Sequence, residues 1–452
     1  MPAPPTCCRL GLTTPVRNPP ENPMRPMTKK LLAVSLAGSL ALAACGNDDD
    51  GTVAQSGEPA PVEETTTTTE AEAEETEVEG ETAGTETGAA ELRAGLTSLL
   101  QEHVYLAGIT VKYALVAGGD MEAPAVQAAA GALDENSVDL SEAVASVAGD
   151  ENGEAFLGLW REHIGFFVDY TLGKATGDEA MAEQALTDLD GYQQAAGAFF
   201  EEITGGELPA EALIDSLQVH IDTLTEAIDA LVAGDASAFD KLQAAADHMP
   251  MAAEALAGAI VAAVPDMFDG EVDSAPAETR AVLTDLLQEH VYLAGIAIDQ
   301  AVDAGGDMDA PAVQAAVATL DANSVELAGV VGSVAGDENE EAFLGLWREH
   351  IGFFVDYTLG KATGDEAMAE QALTDLDGYQ QAAGAFFEEI TGGELPADAL
   401  IDSLQVHIDT LTTAIDSLIA GETSVFTELR EAAQHMPMAA AALSSAIVAA
   451  TS

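Results

Sequence analysis

The sequence predicts an all-α protein in which one helical bundle occurs twice in tandem, and three observations predict it. Apolar residues recur every three or four positions over long stretches, as they do along one face of an α-helix. No stretch alternates apolar and polar residues between hairpin turns, as strands do. The chain also repeats itself, because Trp160–His163 returns as Trp347–His350, and this offset is the length of a whole domain.

The first segment with a recognisable pattern begins at Met27. Two lysines precede an apolar run, Leu31–Ala44, that is too short to cross a bilayer as a permanent helix, and small residues precede Cys45. This order resembles the signal of bacterial lipoproteins, which implies cleavage before Cys45 and a lipid on its thiol. We therefore expect residues 27–44 to be a signal peptide, Cys45 to anchor the chain to the outer face of the cytoplasmic membrane, and residues 1–26 to precede the true start.

An acidic segment, residues 45–88, follows the predicted lipidation site. It consists mainly of acidic residues, threonine, alanine, glycine and proline, with almost no large apolar side chain. This composition cannot bury enough surface to offset the entropy of the chain, so we expect an extended, disordered spacer.

The charge balance excludes one class of partner. The chain has 14 Lys and Arg against 79 Asp and Glu, a formal net charge of −65. Such an acidic surface repels nucleic acid and attracts cations. The cysteines are Cys7, Cys8 and Cys45, so the repeats contain neither a disulfide framework nor a cysteine-based zinc site.

Two helical repeats follow the spacer: repeat 1 at residues 89–264 and repeat 2 at residues 278–452, joined by a connector at 265–277. Glycine, aspartate and proline divide each repeat into about six helices around a core that resembles a four-helix bundle. Pro124, for example, lies where a first helical turn accepts proline, and Gly177 lies where a helix ends. The predicted helices of repeat 1 are 90–116, 124–147, 151–174, 178–203, 209–232 and 236–264.

All eight histidines fall within the repeats, and each lies on the apolar stripe of its helix. In the first helix, Leu96, Leu99, His103 and Leu106 follow one another at spacings of three and four. If the helices pack antiparallel and in register, the four imidazoles of a repeat lie at one level of the core. The candidate metal ligands are therefore His103, His163, His220 and His248 in repeat 1 and His290, His350, His407 and His435 in repeat 2.

Neutral imidazole is the commonest protein ligand for transition metals, and helical bundles build metal sites from inward side chains. Asn136 and Asn323, on the apolar stripe of the second helix of each repeat, are candidate auxiliary ligands. So are Met251 and Met438, three residues after the last histidine and on its helical face. A thioether beside an imidazole suits copper(I), so copper is the first metal to consider, with zinc or iron next.

Other polar residues near the histidines lead to separate predictions. Tyr170 and Tyr192 are placed to reach the histidine level of the core. The Glu102 carboxylate, next to His103 in sequence, is expected to face solvent. The last helix of repeat 1 is expected to run through His248 with a kink at Pro250.

Five short motifs stand out in repeat 1: Glu102–Ala107, Leu133–Ser137, Trp160–Tyr170, Leu217–Ile221 and His248–Met251. Together they resemble a poorly characterised helical module of secreted proteins in Gram-positive bacteria, over nearly the whole of each repeat. Some members of that group are labelled copper amine oxidase because a separate small domain precedes the helical part. Neither that domain nor the Asn-Tyr-Asp/Glu context that forms the quinone cofactor occurs in this sequence. The resemblance implies a helical module and an extracellular setting, and not oxidase catalysis.

Three functions stay open at this point. The leading one is a cell-surface lipoprotein whose bundles bind a transition metal through the histidines. Binding or scavenging is preferred to catalysis, because the sequence has no Ser-His-Asp arrangement, phosphate-binding glycine loop or paired-carboxylate motif. In the second, histidine and asparagine form a buried hydrogen-bonded layer of a structural or interaction module whose protein partner is unknown. In the third, two histidines are the axial ligands of a haem, although no Cys-x-x-Cys-His motif occurs.

Overall fold

The computed structural model describes residues 84–452. The predicted signal peptide, Cys45, most of the acidic spacer and residues 1–26 lie outside the described residues. Within the described range the protein consists of α-helices packed against one another, with one short 3-10 helix and no strand. The predicted all-α class is confirmed.

Repeat 1 begins slightly earlier than predicted, because residues 84–88, assigned to the spacer, already belong to its helical structure. A 3-10 helix at Gly84–Glu86 leads into the first α-helix, whose N-cap is Thr87; the Thr87 side chain accepts a hydrogen bond from the backbone N–H of Ala90. The helices of repeat 1 are α1 (Gly88–Val116), α2 (Pro124–Ala148), α3 (Asp150–Thr176), α4 (Glu179–Ile203), α5 (Ala210–Ala233), α6 (Ala238–Ala246) and α7 (Met249–Ala263).

Repeat 2 has the same order of helices. Its first helix is capped by Ser274, whose side chain accepts a hydrogen bond from the backbone N–H of Ala277. The helices are α8 (Ala275–Asp303), α9 (Pro311–Ala335), α10 (Asp337–Thr363), α11 (Glu366–Ile390), α12 (Ala397–Ala420), α13 (Val425–Gln434) and α14 (Met436–Thr451).

The predicted helix bounds agree closely with the structure, except at the end of each repeat. Gly177, for example, ends α3 in the left-handed conformation, with φ of 74°, where a residue without a Cβ is favoured. The single last helix expected over residues 236–264 is instead two helices, α6 and α7, separated at Asp247 and His248. The reason is that Pro250 lies in the first turn of a new helix, which tolerates proline, and not within a kinked one.

The two repeats meet along their first helices, α1 and α8, which pack against each other. At their contact Tyr105 stacks on Tyr292, with ring centroids 5.4 Å apart and planes 9° from parallel. The two repeats are also in contact through the short sixth helix of each, since α13 of repeat 2 packs on α2 of repeat 1 and α6 of repeat 1 packs on α9 of repeat 2. By length and composition α8 would suit a membrane span, but most of it is buried within the protein, as in a core helix.

Three helices position the histidines in each repeat. In repeat 1, α1, α3 and α5 each contact the other two, and in repeat 2 the same is true of α8, α10 and α12. The sides of these three helices that contact one another therefore face the centre of their own repeat.

Candidate metal centre

Three of the four histidines of each repeat converge in its core. His103 from α1, His163 from α3 and His220 from α5 are buried, and their candidate ligand atoms all lie within 4.8 Å of one another. We call this set triad 1. Triad 2 has the same arrangement and consists of His290, His350 and His407.

Two nitrogens of each triad have the spacing of ligands to one ion. The Nε2 atoms of His103 and His163 are 3.4 Å apart, and so are those of His290 and His350. Two nitrogens bound at 2.0–2.1 Å to one tetrahedral metal ion are separated by about 3.3–3.4 Å. The same distance also fits an N–H···N hydrogen bond between two neutral imidazoles, so this contact alone does not distinguish the two.

Aromatic rings hold the imidazoles in place. The Trp160 ring lies 4.7 Å from that of His103 and 4.4 Å from that of His163, centroid to centroid. Tyr192 stacks on the other side of His163 at 4.7 Å, as predicted for its level in the core. Tyr170 does not join the triad, because its hydroxyl donates a hydrogen bond to Asp229 at 3.0 Å.

Each triad borders an apolar cavity. In repeat 1 the cavity has a volume of about 80 Å³ and in repeat 2 about 60 Å³, so each has room for more than one water molecule. Apart from histidine, the polar side chains of the repeat 1 lining are Trp160, Tyr192 and Ser216. No carboxylate lines either cavity among the described residues.

Burial keeps the triads uncharged. Desolvation and then repulsion from His220 lower the pKa of His163 to about 3. Desolvation, followed by repulsion from His248, lowers the pKa of His220 to about 4. In triad 2 the pKa of His290 is lowered to about 3 and that of His407 to about 4, again mainly by burial. Neutral imidazole is the form that binds a metal ion, so binding at neutral pH displaces no proton from these nitrogens.

Several nitrogens of the triads lack a partner. The Nδ1 atoms of His103 and His220, and of His290 and His407, are buried and accept or donate no hydrogen bond within residues 84–452. A buried polar atom without a partner costs about 1–3 kcal/mol. The hydrogen bonding of the described residues therefore does not by itself satisfy either triad.

The fourth histidine of each repeat stands outside its triad. His248 lies at the break between α6 and α7, is half-buried, and lines the same cavity as triad 1. Its Nε2 atom is 3.0 Å from Ser216 Oγ and 3.1 Å from the Ser216 carbonyl oxygen. His435 makes the same contacts with Ser403. The structure thus brings together three of the four imidazoles expected at one level.

The predicted auxiliary ligands also lie away from the triads. Met251 is 62% exposed, whereas Met249 is 5% exposed and lines the cavity. The prediction assumed a continuous helix from His248 to Met251, and the break at His248 reverses which methionine faces inward. Asn136 and Asn323 are buried, but their side-chain amides donate to Glu102 at 3.2 Å and to Glu289 at 3.0 Å.

A buried polar network between the repeats was not predicted from the sequence. Glu102, expected to face solvent, is 1% exposed and accepts hydrogen bonds from Arg430 at 2.7 Å and from Tyr292 at 3.1 Å. Its counterpart Glu289 accepts a hydrogen bond from Tyr105 at 2.6 Å. Desolvation raises the pKa of Glu102 against the opposing effect of Arg430, and it raises the pKa of Glu289 to about 7.

No family model, curated protein or solved structure matches this chain. The functional interpretation therefore depends on the geometry of the triads and on the chemistry of their residues.

Proposed function

We propose that each repeat binds one transition-metal ion through its histidine triad and that copper(I) is the preferred ion. The observation that carries the proposal is the convergence of three buried, neutral imidazoles whose ligand atoms lie within 4.8 Å of one another, in each of two repeats. Three histidines around one ion leave a fourth position open, and the cavity lies beside it.

The surroundings of the triads favour a singly charged ion. The cost of burying an ion rises with the square of its charge, and carboxylates usually offset that cost at sites for divalent ions. Neither cavity is lined by a carboxylate within the described residues. Imidazole and thioether ligands suit copper(I), and the buried Met249 and Met436 lie on the cavity walls.

Sequestration or buffering is the role that fits these features. The acidic exterior, with a net charge of −65, raises the local concentration of cations. The predicted lipid on Cys45 places the two sites outside the cytoplasm, at the end of the acidic spacer. In this interpretation the chain is a cell-surface lipoprotein that holds copper close to the membrane.

The second candidate is a structural module in which the imidazoles bind one another. The 3.4 Å contact between His103 and His163 is compatible with it. That one hydrogen bond, however, does not include His220, whose Nδ1 atom is buried without a partner among the described residues. A haem is disfavoured, because its macrocycle is far larger than the cavity of about 80 Å³ beside triad 1.

Anaerobic copper(I) titration of the purified chain against a chromogenic copper(I) chelator tests the proposal. Cys7, Cys8 and Cys45 are replaced by serine, so that no thiol competes for the ion. We expect two copper(I) ions per chain, one for each triad. His163→Gln should reduce the stoichiometry to one, since triad 2 remains intact, and adding His350→Gln should abolish binding. A folded protein that takes up no copper, zinc or iron would leave the structural module as the better interpretation.

A further inference from the structure

The fourth histidine of repeat 1 has the position of a gate between solvent and the triad. His248 is half-buried at the junction of α6 and α7 and lines the cavity that triad 1 borders. It therefore lies between solvent and the cavity beside the buried imidazoles. His435 is half-buried at the matching junction of α13 and α14.

The hydrogen bonds of His248 leave one ring nitrogen free. A carbonyl oxygen only accepts hydrogen bonds, so the Nε2 atom that lies 3.1 Å from the Ser216 carbonyl carries the proton. In a neutral ring Nδ1 then holds the lone pair, and this atom is buried with no partner in the described chain. Desolvation lowers the pKa of His248, which favours the neutral ring. The backbone of α5 thus holds His248 in the tautomer that presents a ligand atom.

Two methionines follow this histidine in the sequence, and they differ in exposure. Met251 is 62% exposed, and Met249 is 5% exposed on the cavity wall. In repeat 2 Met438 is 64% exposed and Met436 is 6% exposed. Both repeats keep His-Met-Pro-Met although adjacent residues differ, Asp247 corresponding to Gln434 and Glu254 to Ala441. In order of decreasing exposure, each repeat therefore has an exposed thioether, a half-buried imidazole and a buried thioether.

We propose that Met251 and His248 form a loading site that takes copper(I) from solvent and passes it to triad 1, and that Met438 and His435 do the same for triad 2. This inference rests on the proposed function. Transfer is a series of ligand exchanges in which a thioether or imidazole lone pair replaces the previous ligand, and no electron or proton is transferred. In such a series the ion keeps at least one donor at each step, which avoids the cost of a bare ion in the apolar cavity.

The test separates the rate of loading from the final stoichiometry. Anaerobic stopped-flow spectroscopy follows the transfer of copper(I) from its coloured bicinchoninate complex to the cysteine-free chain. Met251→Leu and His248→Gln each alter repeat 1 alone, so repeat 2 serves as an internal reference. We expect half of the amplitude to slow by about an order of magnitude, with the other half unchanged and two ions bound at equilibrium. Met267→Leu is the matched control, since Met267 is 54% exposed in the connector and does not line the cavity.

Other outcomes overturn the loading site in distinct ways. Wild-type rates in both variants would show that copper(I) reaches the triads by another route. Loss of one bound ion in His248→Gln would make this histidine a ligand of the final site. A wild-type chain that binds no copper(I) would remove the proposed function and the loading site with it, whereas unchanged rates at full stoichiometry would remove the loading site alone.

Discussion

Arg430 Nε lies 2.7 Å from Glu102 Oε1, although the two residues are 328 positions apart in the chain. The guanidinium of Arg430 also contacts the carboxylates of Asp139 and Glu135. Since α13 carries Arg430 and α1 carries Glu102, this contact joins the last part of repeat 2 to the centre of repeat 1. This ion pair has no counterpart at Glu289, because the residue of repeat 1 that corresponds to Arg430 is the uncharged Gln243.

Arg430→Gln should destabilise the protein by about 3–5 kcal/mol, because it leaves the buried Glu102 carboxylate without its cation. Urea denaturation at pH 7 measures the change. The matched control is Arg161→Gln, which removes an exposed ion pair with Asp134 and should cost less than about 1 kcal/mol. Equal losses in the two variants would mean that the Arg430 ion pair contributes no more than a surface pair.

Gln243→Arg should stabilise the protein above pH 7 by placing a cation beside Glu289. Burial raises the folded-state pKa of Glu289 to about 7 from an ordinary value of 4.5. The native state therefore binds more protons than the unfolded state between pH 4.5 and 7, and this group alone lowers stability by about 1.4 kcal/mol per pH unit as the pH rises through that window. An added guanidinium should remove this dependence, so the two proteins should differ little at pH 4.5 and most at pH 8. The free energy of unfolding measured across this range tests it, and a constant difference would contradict the assignment to Glu289.

The sequence was sufficient for most of the helices and for the burial of the triad histidines, because both depend on periodicity within one helix, but it placed a fourth histidine at the same level of the core. The spacing of His103 among leucines predicts that it faces the core, and the structure places it there. Glu102 could not be placed in the same way, since its burial arises from α8 of the other repeat. One signal was present: Leu99, Leu100, Val104 and Tyr105 spread over more than one face of α1, as expected of a helix buried on several sides.

The end of each repeat depends on packing that the sequence does not reveal. Pro250 is compatible both with a kinked helix and with a new helix that begins just before it, and only tertiary packing selects between them. Whether the helix is kinked or newly begun decides whether Met249 or Met251 faces inward. The rotation of 100° per residue that relates side chains along one helix does not continue across a break. The separation of His248 from the triad has the same cause.

Acid should destabilise the metal-free protein through the triads. The folded-state pKa of His163 is about 3 and the ordinary value is 6.5, so between these values the unfolded state binds the extra proton. The stability that neutral His163 provides is complete above pH 6.5 and decreases as the pH falls toward 3. His163→Gln should therefore reduce the slope of unfolding free energy against pH by about 1.4 kcal/mol per unit in that window.

Comparison of variant and wild type is needed here because buried carboxylates act in the opposite direction. The raised pKa of Glu289, for example, makes the native state more stable as the pH falls toward 4.5. Denaturant titrations of both proteins at several pH values between 4 and 7 give the difference in slope. An unchanged slope would indicate that His163 is protonated in the native protein and hence not held neutral by burial.

Tryptophan fluorescence should report metal binding at both triads. The chain contains two tryptophans, Trp160 and Trp347, and each ring lies within 5 Å of two imidazoles of its triad; the Trp347 centroid is 4.5 Å from that of His350. A copper ion bound by the triad is close enough to quench the indole, so saturation should quench both tryptophans. In His163→Gln about half of the quenching should remain, from Trp347 alone. Magnesium is the control, because a hard cation binds the acidic exterior and not buried imidazole. Equal quenching by magnesium would assign the signal to ions bound at the acidic exterior, where the net charge is −65, and not to the triads. Full quenching in His163→Gln would lead to the same conclusion, because triad 1 is then incomplete.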